Sequence, residues 1–365
     1  MNELNQDQLS RIVIKGFKSI KECDLELGNI NVLIGSNGAG KSNFISVFEM
    51  LQNILKQELS LYVGKKGVNS LLYNGKKVTN SISMEFNFGS FLYGFDLMWT
   101  ENDSLLFREE RVDKDGLVIW GDGYNKESKL NESLHDINIM KDNIQALINK
   151  KWRIYQFHDT SVSSRMKIEN NVSNCEMLQK DASNLAVFLY RLRKHYPKEY
   201  KNIINAVQRI APFFKDFELK PMELNDEQIV LRWSQKGCDD IFSPSQLSDG
   251  TLRFICLATL LLQPSELQPA TIIIDEPELG LHPYAIIIFS ELVKKVAVEK
   301  QIIIATQSVE LLDNFNAEDV IVVDRNEAGS KFERLDAKNL AAWLEDDYSL
   351  GELWNKNIFG GRVSR

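Results

Sequence analysis

The feature that most restricts the fold is a glycine-rich stretch, GSNGAGKS (Gly35 to Ser42), between an apolar run and a helical pattern. The preceding INVLIG (Ile30 to Gly35) predicts a strand, and the apolar spacing after Lys41 predicts a helix. The stretch fits G-x-x-x-x-G-K-[ST], in which glycines permit positive φ angles and a close approach of amides to phosphate oxygens. A strand that runs through such a loop into a helix predicts a phosphate-binding α/β domain.

Each part of this loop has an expected role in binding a nucleotide. Amides around Gly38, Ala39 and Gly40 are expected to surround the β-phosphate. Lys41 is expected to reach the β- and γ-phosphates, and the Ser42 hydroxyl to ligate Mg²⁺. The predicted ligands are therefore ATP and Mg²⁺. The predicted contact residues are Gly35, Ser36, Asn37, Gly38, Ala39, Gly40, Lys41, Ser42 and Asn43.

A second candidate element is TIIIDEPELGLHP (Thr271 to Pro283), in which two carboxylates follow a β-branched strand. Acidic residues often end strands, so the pair means little by itself. After a phosphate loop, however, Asp275 is placed to hold Mg²⁺ through water, and Glu276 to polarise the attacking water. We therefore predict Asp275 as a metal residue, and Glu276 and Lys41 as catalytic residues.

A third element, QLSDGTLRF (Gln246 to Phe254), opens a helix with serine and glycine. The N–H groups and the positive dipole end of such a helix start favour an anion. The order of the three motifs along the chain resembles that of the ABC-type ATPases: a phosphate loop, then an S-x-G helix start, then an acidic pair. IKGFKSIKE (Ile14 to Glu22), GSNGAGKSNF and DEPELGLHP narrow the resemblance to their RecF/SMC-like branch, over residues 1–60 and 245–324.

The resemblance implies a homodimer. In this family the signature serine and glycine bind the γ-phosphate of the ATP held by the opposite subunit, which gives this role to Ser248 and Gly250. Asp249 stands where transporters more often have glycine. The residues from Leu279 to Leu281 match the loop that crosses the dimer interface.

The resemblance also implies two positions near the γ-phosphate. Gln156, in WRIYQFHDTS, is a candidate for the glutamine that senses Mg²⁺ and γ-phosphate; the alternative for the following Phe157, His158 and Asp159 is packing and capping. Gln307, our third candidate catalytic residue, stands where the family usually has a histidine. Glutamine donates a hydrogen bond but cannot become cationic, so we expect slow hydrolysis or a sensing role.

The predicted fold is an α/β P-loop domain of ABC type with a mixed, largely parallel core sheet, an antiparallel β insertion and a helical lobe. The continuous apolar runs TIIID, QIIIAT and VIVVD predict strands buried on both faces, which is typical of parallel sheets. Residues 1–60 and 245–365 are expected to form the ATPase core, 61–155 the β subdomain with a connection, and 156–244 the helical lobe with a hairpin.

Apolar residues alternate from about Leu61 to Trp120, as in SISMEFNF and FLYGFDLMW, which predicts an antiparallel sheet with one solvated face. Asn74–Gly75 and Asp115–Gly116 predict turns. The polar, lysine-rich stretch from Asn131 to Lys151 is either a surface helix or a loose connection.

Apolar residues return at helical spacing in residues 185–192 and 203–210, with Pro197 between them, and QIVLRW (Gln228 to Trp233) alternates again. These patterns predict two helices and a strand before the signature motif. The tail, AAWLEDDYSLGELWNKNIFGG, predicts a docking helix and a loop.

Composition restricts location and partners. A net charge of −8 means that DNA contact requires a local basic patch, for which RLRKHYPKEYK (Arg191 to Lys201) is a candidate, although a solvated helix end is the commoner explanation. The four cysteines form no CxxC pair, which favours reduced thiols in the cytosol. No apolar run approaches the roughly 18 residues of a membrane span. We therefore expect a cytoplasmic protein without a membrane partner.

Stand-alone ATPases of this branch resemble components of DNA-repair and anti-phage defence operons. The ATPase half of the overcoming-lysogenization-defect family is similar, but we expect no nuclease of that kind in the residues after Asp324. We therefore expect DNA, or a nuclease or toxin acting in trans, as the partner. The alternatives are a nucleotide-sensing scaffold with negligible turnover and the energising subunit of a transporter; FKS, Asp249 and the β insertion argue against the transporter.

Overall fold

The computed structural model describes residues 8–89, 91–114, 117–129, 152–223, 225–345 and 348–361. Its contacts divide the chain into two compact units. The first consists of Met1–Ile154, Ala270–Ile273 and Glu299–Arg365, and the second of Tyr155–Pro269 and Ile274–Val298. Each unit is therefore built from segments that are distant in sequence.

The described chain contains both strands and helices. The strands are β1 (Leu9–Phe17), β2 (Ile20–Glu26), β3 (Ile30–Ile34), β4 (Ser81–Phe88), β5 (Phe91–Trp99), β6 (Leu105–Lys114), β7 (Leu117–Asn125), β8 (Trp152–Tyr155), β9 (Asn170–Asn171), β10 (Phe214–Phe217), β11 (Pro221–Met222), β12 (Asn225–Ile229), β13 (Trp233–Gln235), β14 (Ile241–Phe242), β15 (Thr271–Asp275), β16 (Gln301–Thr306), β17 (Val320–Asn326) and β18 (Gly329–Arg334). The α-helices are α1 (Lys41–Leu55), α2 (Leu59–Lys66), α3 (Val68–Leu71), α4 (Leu185–His195), α5 (Pro197–Ile210), α6 (Asp249–Leu262), α7 (Pro283–Val296), α8 (Val309–Leu312), α9 (Ala337–Glu345) and α10 (Leu350–Asn355).

An antiparallel sheet of the first unit has the strand order β2-β1-β4-β5-β6-β7. Side chains at alternate positions of SISMEFNF and FLYGFDLMW were predicted to share one face, and all but the partly buried Trp99 are buried: Ile82, Met84, Phe86 and Phe88 in β4, and Phe91, Tyr93, Phe95 and Leu97 in β5. Phe86 lies opposite Tyr93, and their ring centroids are 6.4 Å apart, so cross-strand aromatic pairs hold this face together. The predicted antiparallel sheet is confirmed, and it also includes β1 and β2.

The alternating region begins later than the sequence indicated. Residues 59–71 lie in α2 and α3, and the first strand of this region begins at Ser81. The buried residues of α2 have helical i, i+3, i+4 spacing: Leu59, Tyr62 and Val63. Asn74 and Gly75 both have positive φ, so a turn forms there as predicted, just before β4.

Three other predictions concern single segments. The turn at Asp115–Gly116 and the polar stretch from Asn131 to Lys151 lie outside the described residues. The prediction of a single strand for QIVLRW was wrong, because β12 ends at Ile229 and β13 begins at Trp233. These two strands belong to separate three-stranded sheets, ordered β11-β12-β9 and β10-β13-β14. Ile229 and Trp233 are both buried, so the alternation of buried residues continues although the strand is interrupted between them.

The core sheet has the order β18-β17-β3-β16-β15-β8. Strand β3 pairs in parallel with both β16 and β17, whereas β18 pairs with β17 in antiparallel fashion. Every residue of β15 and β16 is buried, as expected for parallel strands covered on both faces. The predicted mixed, largely parallel core sheet is confirmed.

Helices dominate the second unit, where α6 packs against α5 and α7. The predicted apolar stripes are buried: Leu185, Phe188, Leu189 and Leu192 in α4, and Ile203, Ile204 and Val207 in α5. Pro197 is the first residue of α5, where its missing N–H removes no helical hydrogen bond. The two predicted helices are confirmed.

The tail folds onto the first unit as the predicted docking helix. Leu353 and Trp354 of α10 are buried in a cluster with Ile34, Leu312 and Val322. Within the described parts of the chain, no helix has the length and apolar character needed to cross a membrane.

A buried polar side chain fixes the strand arrangement of the first unit. Gln301, at the start of β16, is fully buried. Its Nε2 donates to the carbonyl oxygens of Leu9 (2.8 Å) and Gly28 (2.9 Å), and its Oε1 accepts from Thr271 Oγ1 (2.9 Å). Gln301 thereby links β1, β15 and β16 through groups that would each cost about 1–3 kcal/mol if left buried without a partner.

We predict that Gln301→Leu lowers the free energy of unfolding by about 3 kcal/mol, because the Leu9 carbonyl and the Thr271 hydroxyl lose this partner, while the Gly28 carbonyl keeps Asn31. Thr271→Val removes one donor and keeps the shape, so it should cost about 1 kcal/mol. Urea denaturation followed by circular dichroism measures both changes. Equal losses for the two variants would contradict the central place of Gln301 in this network.

Candidate functional site

The glycine-rich loop connects β3 to α1, and its surroundings require two of its glycines. A Cβ on Gly35 would lie 2.3 Å from the carbonyl oxygen of Val323, and one on Gly40 would lie 2.2 Å from Ser330 Oγ. Gly38 has φ 79° and Gly40 has φ 123°, in the region that glycine tolerates. No described atom lies within 4 Å of a Cβ placed on Gly38, so a ligand has room on that side.

Lys41 is the first residue of α1 and is only 6% exposed. Its Nζ donates to the carbonyl oxygens of Gly35 (2.6 Å) and Ser36 (3.1 Å). The start of α1 has no side-chain cap and no acidic residue in its first turn, so the positive dipole end is not neutralised there. The free helix start fits phosphate groups. Because Ser42 is exposed, the loop also offers a hydroxyl ligand for Mg²⁺.

Side chains behind the loop hold it in place. Asn43 Nδ2 donates to Ser19 Oγ (2.6 Å). Ser330 Oγ lies 2.7 Å from Ser19 Oγ and donates to the carbonyl oxygen of Ala39 (2.6 Å). Sequence reasoning missed both serines as parts of the site. Ser19 is the serine of the FKS motif, whereas Ser330 is separated from Ala39 by 291 positions and has no local signal.

Two further contacts hold the outer side of the loop. The Ser36 amide donates to the carbonyl oxygen of Gly361 (2.9 Å), and Arg325 Nη1 donates to that of Gly38 (3.2 Å). Asn37, between them, is exposed. The tail and the end of β17 therefore belong to the surroundings of the loop.

A cleft of about 430 Å³ lies beside the loop, and its lining includes Lys18, Asn43, Lys66, Tyr73 and Arg325. Burial lowers the pKa of Lys18. Three cationic side chains and one carboxylate, that of Glu327, line the cleft, and the excess of positive charge favours an anionic ligand.

The second unit contains the acidic pair. Asp275 is 8% exposed, and its Oδ2 accepts a hydrogen bond from Gln156 Nε2 (3.1 Å). His158 Nε2 lies 2.9 Å from the carbonyl oxygen of Asp275. The structure therefore brings together Gln156 and Asp275, the two residues of this unit that the sequence predicted for the metal. It also gives His158 a partner at the same strand end.

Glu276 has φ 44°, a left-handed conformation that costs a residue with a Cβ roughly 1–2 kcal/mol. Strained residues of this kind cluster at functional sites, where the surrounding structure holds them in place. Glu276 directly follows the buried end of β15, so its strain points to a constrained position for its carboxylate.

The signature motif forms the start of α6. Ser248 is the N-cap and its Oγ accepts from the Thr251 amide (3.1 Å). Asp249, in place of the usual glycine, lies 3.9 Å from the buried Lys167 ammonium. A Cβ on Gly250 would lie 2.3 Å from the Gly280 carbonyl oxygen, so packing within the unit already explains this glycine.

Gln307 follows β16 directly in the first unit and is exposed. The next residue, Ser308, caps α8 by accepting from the Leu311 amide (3.1 Å). A role of Gln307 at a γ-phosphate stays a prediction.

The basic stretch from Arg191 to Lys201 is partly committed to internal contacts. Arg191 donates to the carbonyl oxygens of Cys175 and Glu176, and Arg193 to that of Leu219 (2.7 Å). Lys194 Nζ lies 4.3 Å from the centroid of the Tyr190 ring. These arginines therefore have structural partners.

Comparisons with known proteins agree with this geometry. A family model described as "AAA domain, putative AbiEii toxin, Type IV TA system" matches residues 30–313. A solved SMC head bound to the C-winged helix domain of ScpA is similar, with a TM-score of 0.58 and 15% identity over 92% of this chain and 99% of that chain. An SMC head with an extended coiled coil, bound to the C-terminal domain of ScpA derived from Pyrococcus furiosus, has a TM-score of 0.55 and 14% identity over 93% and 99%. A comparison with curated protein sequences gives no match.

At these identities the two solved structures show the fold alone. That fold is the P-loop ATPase fold of SMC heads, so the predicted fold class and the resemblance to the SMC-like branch of the ABC-type ATPases are confirmed.

We predict that Glu276→Gly is more stable than Glu276→Ala by about 1 kcal/mol, because only glycine adopts the left-handed conformation without cost. Both variants lose the glutamate side chain beyond Cβ, so the contacts of its carboxylate cancel in the difference. Chemical denaturation of the two proteins measures it. If the alanine variant is equally or more stable, the backbone at Glu276 is not held in this conformation.

Proposed function

Since this chain belongs to the AAA family described as putative AbiEii toxin of type IV toxin–antitoxin systems, we propose that it binds and hydrolyses ATP, dimerises around two MgATP, and controls DNA or a partner effector. The observation that carries the proposal is the buried Lys41 at the start of an uncapped helix, inside a loop in which packing requires glycine at Gly35 and Gly40.

The phosphate loop binds the phosphates of ATP in this proposal. Lys41 exchanges the carbonyl oxygens of Gly35 and Ser36 for the β- and γ-phosphate oxygens, a stronger, charge-assisted contact. The neighbouring cleft with Lys18 and Lys66 receives the remainder of the nucleotide.

Hydrolysis is assigned to the acidic pair. Ser42 and Asp275 would hold Mg²⁺, which, when bound, neutralises charge on the transferred phosphoryl group. Gln156, already hydrogen-bonded to Asp275, orients that carboxylate. Glu276 accepts a hydrogen bond from the attacking water and orients it, and its strained backbone supports this because it fixes the base of the side chain.

The signature is proposed to bind the ATP of a second copy. Ser248 is exposed at the start of α6, and Leu279, in the loop that follows the acidic pair, is an exposed apolar side chain (43%). In a two-fold dimer each ATP would contact both chains. Hydrolysis would remove the contact that holds the dimer closed, so the nucleotide state would set the oligomeric state.

The partner controlled by this cycle is proposed to be DNA or a nuclease or toxin encoded separately, in DNA repair or anti-phage defence. The family description supports a toxin–antitoxin setting. The similar SMC heads were each solved with a domain of ScpA, which supports a protein partner for this fold.

Gln307 favours one alternative, a nucleotide-sensing scaffold with negligible turnover, because a neutral amide stabilises γ-phosphate charge less than a protonated histidine does. A phosphate-release assay on the purified chain separates the two functions. Steady release that depends on MgATP supports the ATPase, and binding without release supports the scaffold.

We predict that Lys41→Ala abolishes detectable binding of MgATP, because the substitution removes the buried cation that faces the β- and γ-phosphates. Isothermal titration calorimetry measures the affinity, and Lys56→Ala, at the C-terminal end of the same helix, is the matched control. Unchanged affinity in Lys41→Ala would remove the basis of the phosphate-loop assignment.

We also predict that Glu276→Gln accumulates a closed, ATP-bound dimer, because the amide keeps the shape of the site and no longer activates water. Adding Ser248→Arg should block the dimer, since a bulky cation then occupies the phosphate seat, while binding to the chain's own loop persists. Light scattering after size exclusion in MgATP measures both. A monomeric Glu276→Gln, or a double variant that assembles equally well, would show that the LSDGT segment is only a capped core helix.

A further inference from the structure

Arg253 of α6 makes a set of hydrogen bonds that none of the motif assignments uses. Its guanidinium donates to four oxygens: Nε to the carbonyl of Phe157 (3.3 Å), Nη2 to the carbonyl of His158 (2.9 Å) and to Thr160 Oγ1 (3.2 Å), and Nη1 to the carbonyl of Leu279 (2.9 Å). Three of these acceptors belong to the main chain. Arg253 therefore fixes the backbone of two loops, whatever side chains those loops carry.

Both loops adjoin the acidic pair. The first follows Gln156 and contains His158, and both of these residues contact Asp275. The second contains Leu279, three residues after Glu276. One guanidinium on the helix that begins at the signature thus holds the main chain on both sides of the proposed catalytic carboxylates.

Two glycines and a second cation allow α6 and the two loops to approach closely. A Cβ on Gly280 would lie 2.3 Å from Arg253 Nη1, and one on Gly250 would lie 2.3 Å from the Gly280 carbonyl oxygen. Lys167, buried beside the start of α6, donates to the carbonyl oxygen of Thr160 (2.6 Å). The helix start and the two loops therefore lie in close contact.

We propose that Arg253 is a positioning residue that transmits anion binding at Ser248 and Gly250 to the orientation of Gln156 and Glu276. The inference rests on the proposed function, in which that anion is the γ-phosphate of a second copy's ATP. Arg253 lies about one and a half helical turns after Ser248, so a shift of the helix start moves the guanidinium and both loops with it. An arginine is required because its planar fork presents five donors in fixed directions, whereas lysine offers a single ammonium.

The test uses the full chain and steady-state phosphate release with MgATP. We expect Arg253→Lys to lower kcat at least about tenfold, since small displacements of catalytic groups are costly, with KM and the calorimetric Kd for MgATP within about twofold. Ser248→Ala should also lower kcat. The double variant should be no slower than the slower single variant, because residues that act as one unit are not additive.

Two further variants separate positioning from general stability. Arg334→Lys is the matched control: Arg334 also donates to main-chain carbonyls, of Glu318 (2.7 Å) and Glu26 (3.1 Å), but away from the motifs, and its kcat should stay within about twofold of wild type. Gly280→Ala displaces the same guanidinium from the other side and also strains the loop, because Gly280 has φ 73°, so it should reproduce the loss of kcat at unchanged KM. It also provides the test if Arg253→Lys fails to fold.

The outcomes distinguish this inference from the function on which it rests. A wild-type chain that releases no phosphate overturns the proposed ATPase. If the wild-type chain hydrolyses ATP, two results overturn the positioning role alone. One is a wild-type kcat in both Arg253→Lys and Gly280→Ala. The other is a loss of kcat in these variants that multiplies the loss in Ser248→Ala.

Discussion

The parallel pairing of β3 with β16 determines where the chemistry of the first unit is placed. Ile34, the last residue of β3, lies opposite Thr306, the last residue of β16. Gly35 and Gln307 therefore leave the sheet at the same level, although they are far apart in sequence. The buried amide of Gln301 holds this register at the other end of β16, where its partners are groups from three different segments.

Several arginine side chains near the motifs donate their hydrogen bonds to neutral oxygens rather than to carboxylates. All four hydrogen bonds of Arg253 go to carbonyl or hydroxyl oxygens, and Arg325 donates to the carbonyl of Gly38. Such bonds are weaker than those to carboxylates, but they act on the main chain itself. The loops are thus positioned through their backbone, which leaves their exposed side chains available for contacts with ligands.

The sequence was sufficient for those parts of the fold that local patterns encode. The glycine loop, the strands around it and the apolar stripes of α4 and α5 all follow from spacing within short windows. Helix α2 was missed because alternation was extended back to about Leu61, into a segment where burial follows helical spacing instead. Ser330 and Arg253 could not be predicted as supports of the site, since their partners are 291 and up to 96 positions away and depend on the tertiary fold.

The contacts among Gly250, Arg253 and Gly280 also restrict how this chain can change over evolution. A side chain at Gly250 meets the Gly280 carbonyl, and a side chain at Gly280 meets the Arg253 guanidinium. A substitution at any one of the three positions therefore changes which residues the other two can tolerate. Among relatives that keep this arrangement, we expect the three positions to covary as a group, with the arginine lost only in lineages that have also rebuilt the loop after the acidic pair.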